Sequence, residues 1–169
     1  MVDAILQFLD AGGEVLYLIA FLTFLLWTLA VERFWYFSTA LRLDVATAVQ
    51  QWEARGERKS QAAHRVRLLL ISRVRLLVEQ NLPLLRSIVS LCPMVGLLGT
   101  VWGMIEVFNV MAMTGGGEVR AMASGVSKAT IPTMAGMVAA ISGVFANTLL
   151  TRMAERRLML LEDSLTMDH

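Results

Sequence analysis

The sequence predicts an all-α, polytopic membrane protein with three transmembrane helices that extend into the cytoplasm. Two observations carry that expectation. Of the 169 residues, 56% are hydrophobic and only 17% charged, against about 25% charged in an average soluble domain. The charges also leave three long gaps, with no Asp, Glu, Lys or Arg between Val15 and Val31, Ser87 and Ile105, or Ala129 and Thr151. Crossing the hydrocarbon core takes about 20 residues, so each gap is long enough. The expected partners are therefore the lipid bilayer and other proteins, not nucleic acid.

In chain order, residues 1–14 form a segment outside the membrane and 15–37 the first span. This span differs from a secretion signal, because no Lys or Arg precedes it and Glu32 and Arg33 follow it directly without a small-residue cleavage site. Residues 38–86 form a cytoplasmic helical connection, 87–112 the second span, 113–127 an outer turn, 128–151 the third span and 152–169 a cytoplasmic tail. Orientation follows from the basic residues, which collect on the cytoplasmic side. The stretch from Glu32 to Arg86 holds Arg33, Arg42, Arg55, Arg58, Lys59, Arg65, Arg67, Arg73, Arg75 and Arg86, and the tail adds Arg152, Arg156 and Arg157. The outer turn has only Arg120, beside the flexible run Gly115, Gly116, Gly117. The aromatic run Phe34, Trp35, Tyr36, Phe37 marks the inner interface.

Within the connection, residues 61–80 lack Gly and Pro and space Val66, Leu69, Leu70, Val74 and Leu77 at threes and fours among Arg65, Arg73 and Glu79. That is an amphipathic helix, suited either to packing beside neighbouring helices or to binding anionic lipid. Pro83 interrupts or kinks it before the second span.

Neither a nucleophile with a base, nor paired carboxylates, nor a phosphate-cradling loop is present, so no enzyme and no cofactor are expected. The single Cys92 lies in an apolar helix and reads as packing. His64 and His169 lack neighbours at ligand spacing, so no metal site is expected. The distinctive features lie in the last two spans. Gly96, Gly99 and Gly103 in the second, and Gly136, Ala140 and Gly143 in the third, are spaced for close helix packing. At about 100° per residue, Thr130, Thr133, Asn147, Thr148 and Thr151 share one side of the third span, while the Thr100 side of the second otherwise shows Pro93, Met104, Val107 and Met111. A membrane threonine often bonds to its own helix backbone; the stripe taken together favours a water-lined proton path.

Glu106 and Lys128 are the charges in or near these spans, at nearly equal depth and turned away from the threonine sides. Charges at such depth pair or serve a function. A structural ion pair, within one subunit or across a subunit boundary, is the reading favoured over a proton-carrying pair.

The strings GLLGTVWGMIEVF and GVSKATIPTMAGMVAAISGVF resemble the signature region of the ExbB/TolQ/MotA family of proton-channel stators, closest to the ExbB branch. The resemblance implies a homopentameric helical channel around an ExbD/TolR-like partner, whose single span carries a proton-binding Asp, with a TonB-like protein passing force to outer-membrane receptors. Thr100 and Thr133 match the family's channel threonines. The residues themselves also call for such a partner, since no uncharged span here holds a mid-membrane carboxylate. Lys128 stands where many ExbB-like members have Glu, and the cytoplasmic connection is short for that branch. A TolQ-like role in envelope integrity and a passive oligomeric scaffold are the alternatives.

Overall fold

The computed structural model describes residues 2–54, 56, 60–114 and 119–165, and side chains within those ranges except at 2–12, 42, 114 and 119–121. Among the described residues five helices follow one another: α1 (Val2–Ser38), α2 (Ala40–Glu53), α3 (Gln61–Glu79), α4 (Leu82–Thr114) and α5 (Val119–Ser164). Stretches long and apolar enough to cross a membrane lie within Gly13–Glu53, Gln61–Met113 and Met122–Ser164. The chain is an all-α membrane protein. Gly115, Gly116 and Gly117, together with Arg55, Arg58, Lys59 and His169, lie outside the described residues, as do the side chains of Arg42 and Arg120.

Local chemistry explains the breaks. Gly13 interrupts α1 at φ 66° and ψ −165°, a combination open essentially to glycine alone. Between α1 and α2, Ser38 Oγ and Thr39 Oγ1 donate to the carbonyls of Phe34 and Trp35 at 2.9 and 2.8 Å, drawing backbone acceptors onto side chains where the helix ends. Ser60 caps α3, its Oγ accepting from the Ala63 N–H at 3.2 Å. The α3–α4 break falls at Gln80, which is extended, and Asn81, at φ 66°. Asparagine is among the few residues that tolerate this region. Pro83 then sits in the first turn of α4, where its missing N–H costs nothing. Helix continues into the predicted outer turn from both sides, with α4 running to Thr114 and α5 opening at Val119. Hydropathy reports where charge resumes, and helical hydrogen bonding does not stop there.

Two compact units can be described. The first comprises Met1–Trp27 and Arg86–Phe145, the second Thr28–Leu85 and Ala146–His169. The second unit has a core of large side chains: Phe37, Leu41, Trp52, Val78, Leu85, Leu161 and Leu165 are almost fully buried. Its α3 turns part of the expected face inward, since Val66, Leu70 and Val74 pack on this core while Leu69 and Leu77 stay exposed. Ala63, Leu70, Ile71, Val74 and Val78 are buried, while Leu69 is 67% exposed and Leu76 71%. The helix carries two apolar stripes on opposite sides, and periodicity alone does not say which one its neighbours cover. The same unit buries Arg33 to 4% exposure. Its Nε reaches Glu32 Oε2 at 2.8 Å, its Nη1 donates to the Leu77 carbonyl at 3.3 Å, and its guanidinium lies 5.2 Å from the centre of the Tyr36 ring.

The first unit buries smaller groups: Leu16, Ile19 and Leu26 from α1, Ile88, Val89 and Cys92 from α4, and Ala129, Pro132, Ala139 and Ala140 from α5. Its outer surface carries exposed Leu97, Leu98, Val101, Trp102, Ile105 and Phe108 on α4, and Met134, Met137, Val138, Ile141 and Phe145 on α5. A helix apolar on its exposed as well as its buried faces belongs in lipid or among further helices.

Candidate functional site

Within the first unit, α4 and α5 meet along a seam built from the small residues. A Cβ added at Gly96 would lie 2.9 Å from the Pro132 carbonyl oxygen and 3.0 Å from Thr133 Cα, and one at Gly136 would lie 2.5 Å from the Cys92 carbonyl oxygen. The backbones therefore touch directly, and no larger residue fits at either position. Further along, Gly99 faces Pro132 and Val15, Gly103 faces Ala129, and Gly143 faces Leu26 and Val89. Ala140 is buried beside them at 9% exposure.

At the centre of this seam the hydroxyls of Thr100 and Thr133 are hydrogen-bonded to each other. Thr133 Oγ1 is also within hydrogen-bonding reach of the Gly96 carbonyl at 2.9 Å, and Thr100 Oγ1 lies 3.5 Å from the same oxygen. A hydroxyl has one proton to give. Either threonine can be the donor between them, with the other hydroxyl donating to the Gly96 carbonyl, and each direction leaves lone pairs free on the pair. Neither hydroxyl titrates near neutral pH, so the pair can pass or receive a hydrogen bond but cannot store a charge.

The other expected residues divide. Pro93, Met104, Val107 and Met111, on the Thr100 side of α4, are half-buried like Thr100 itself. Thr130 and Thr148 on α5 are exposed, and Thr130 donates to the Ser127 carbonyl at 2.8 Å. Asn147 and Thr151 belong to the second unit and are half-buried, with Asn147 Oδ1 and Thr151 Oγ1 fully enclosed and without a protein hydrogen-bond partner. Glu106 and Lys128 are both exposed. Since Gly103 packs on Ala129, the two charges stand within about a helical turn of the same level. Among the described residues the ion pairs are Arg33–Glu32 and Arg75–Glu162, so Glu106 and Lys128 do not pair within one chain. No group of three or more His, Cys, Asp or Glu able to hold a metal occurs among the described residues.

Two features of importance were not read from the sequence. Pro132 is fully buried and forms the ridge against which Gly96 and Gly99 close; its signal was a proline inside an uncharged run. Arg67 grips the end of α5, its Nε donating to the Leu165 carbonyl at 2.7 Å and its Nη2 to the Glu162 carbonyl at 3.0 Å. Its signal was helical spacing from Ala63, Leu70 and Val74, which places an arginine on the buried face.

These features define a class: multi-span helical membrane proteins in which two spans are joined by small residues around an enclosed polar contact. Residues 38–163 match the family described as the MotA/TolQ/ExbB proton channel family. Among its relatives, the ExbB-like 1 biopolymer transport protein of Synechocystis sp. is 32% identical over 162 residues, covering 77% of this chain and 64% of that protein. The biopolymer transport protein exbB1 of Vibrio cholerae is 40% identical over 88 residues, 52% of this chain and 39% of the relative. The Tol-Pal system protein TolQ of Pseudomonas aeruginosa is 40% identical over 76 residues, 45% of this chain and 33% of the relative. The chain thus spans less than two thirds of the length of these relatives. It belongs to the MotA/TolQ/ExbB proton channel family, and the ExbB-like resemblance extends over most of its length.

Proposed function

We propose that this chain is the channel-forming subunit of an ExbB-like complex that converts the proton-motive force into mechanical work. The single observation that supports this most is the hydroxyl pair of Thr100 and Thr133, enclosed between two spans of a proton-channel-family chain. In this reading five copies surround an ExbD/TolR-like helix with a membrane Asp in the bacterial inner membrane. The chain's N-terminus faces outward and its C-terminus the cytoplasm, and a TonB-like protein carries the motion to outer-membrane import receptors.

The hydroxyl pair suits such a partner, because it can accept from a protonated carboxylic acid or, with its direction reversed, donate to an ionised carboxylate. The chain contributes no titratable carrier of its own. Glu106 and Lys128, equal in depth and unpaired with each other within the chain, meet across the boundary between adjacent subunits.

Proton flux into liposomes tests the assignment. The purified chain with its single-span partner should conduct, and the chain alone should conduct little; equal flux with and without the partner would contradict the reading. Thr133→Ala should abolish energised transport while the complex assembles normally, and full activity in that variant would exclude the role. A passive scaffold conducts nothing under any of these conditions. The TolQ relative, which matches at 40% identity, favours one second reading, a stator for envelope integrity. Deletion of this gene separates the two, since loss of receptor-dependent import marks the first and detergent sensitivity with intact import marks the second.

A further inference from the structure

Eight side-chain hydroxyls on the described helices follow one habit. Thr23, Ser38, Thr39 and Ser90 donate to the carbonyl four residues back, and Thr47, Thr130, Ser142 and Ser164 to the one three residues back. Thr151 does not. Its Oγ1 is enclosed, makes no bond to the α5 backbone and has no other protein partner, and the same holds for the side-chain oxygen of Asn147 one turn earlier. The surroundings on this part of α5 are apolar, with Ala146, Leu150 and Ala154 buried. An enclosed acceptor without a donor is costly, and two of them at a spacing of four are stacked on one helix face.

Helical neighbours four apart have Cβ atoms about 5–6 Å from each other. That separation suits a single bridging water of ordinary hydrogen-bond length on each side. The water accepts from the Thr151 hydroxyl, donates to Asn147 Oδ1, and keeps one proton and one lone pair for a further link. Two neutral oxygens are too few to strip a metal cation of its hydration shell, so water or its protonated form is the ligand this pair selects.

We infer that Asn147 and Thr151 form a water-binding station, and that this station is a relay on the proton path proposed above. The inference rests on that path for its role and on the two enclosed oxygens for its existence, and the two parts are tested separately. For existence, single cysteines are placed at 147, 150 and 151 of the full chain in a Cys92→Ala background. The membranes are then exposed to 2-aminoethyl methanethiosulfonate, which needs a hydrated thiolate. Asn147→Cys and Thr151→Cys should be modified and Leu150→Cys should not; protection of both 147 and 151, or equal reaction at all three, would overturn the station. For the role, the combination Asn147→Leu with Thr151→Val should lower proton flux through the assembled complex about tenfold. Asn147→Leu with Thr151→Ser should give intermediate flux, because one hydroxyl returns. Unchanged flux in the first combination, while Thr133→Ala still abolishes it, would remove the station from the path and leave the path standing. Unchanged flux in both would remove the path as well. A flux that follows sodium rather than pH would overturn water as the ligand.

Discussion

Around Gly96 and Gly136 two helices meet backbone against backbone, while around Trp52 and Phe37 helices are held apart by the largest side chains in the chain. Both arrangements exclude voids, but they fail in opposite ways. In lipid, apolar burial alone gives helices little reason to associate, so contact depends on close approach and on polar bonds such as the one between Thr100 and Thr133. The core of the second unit is of the kind that water drives together. One region is intolerant of added atoms and the other of removed ones, and arginines join the second region where carbonyls are left at helix ends.

Four sets of substitutions can break or sharpen that contrast. The largest effect is expected from Trp52→Ala, which empties a fully enclosed site and should cost about 3–5 kcal/mol, seen as a drop in Tm of the detergent-solubilised protein. Gly136→Val comes next. Its Cβ would collide with the Cys92 carbonyl, and overpacking of this kind costs about 1–3 kcal/mol, whereas Gly56→Val, with nothing within 4 Å, should leave Tm unchanged. If the two glycine variants behaved alike, the seam would not be the contact described.

Arg67→Met is smaller. It strands the carbonyls of Glu162 and Leu165, and leaving hydrogen-bonding groups without partners costs about 1–3 kcal/mol when they are buried. Because these carbonyls stand at a helix end, the lower figure is expected, with faster amide exchange confined to the last turn of α5. The least effect on the single chain is expected from Glu106→Gln and Lys128→Met, since both residues are exposed there. Each should instead weaken the assembled complex, and Lys128→Met combined with Glu106→Leu should recover most of the loss. If the combined loss equalled the sum of the two, the residues would act independently. A stable assembly without transport would place the pair in the mechanism.

What the sequence disclosed, and what it withheld, follows from the same contrast. The glycine seam was legible because small residues at spacings of three and four have few other uses in an uncharged helix. The inward face of α3 was legible only in part, because Leu69 and Leu77 are as apolar as Leu70 and Val74, and the choice between them is made by neighbours distant in sequence. Rotation arithmetic grouped Thr130 and Thr148 with Thr133, Asn147 and Thr151, but a helix face is broad. The structure divides it into an exposed column and a half-buried one. Arg33 and Arg67 were counted as signs of orientation, since charge near a span is usually solvated, and their burial depends on carbonyl acceptors that no sequence pattern marks.

Pro132 stands immediately before Thr133 and brings no N–H to its helix, so the carbonyl of Lys128 loses its usual rung. Pro93 does the same on α4 for the carbonyl of Val89. A rod with a missing rung bends more readily there than along its intact length. Each of the two spans therefore has a compliant joint of its own, and that of α5 lies directly beside the hydroxyl pair. Torque applied to either span would be taken up as curvature at these joints before it stretched the bonds between Thr100, Thr133 and Gly96.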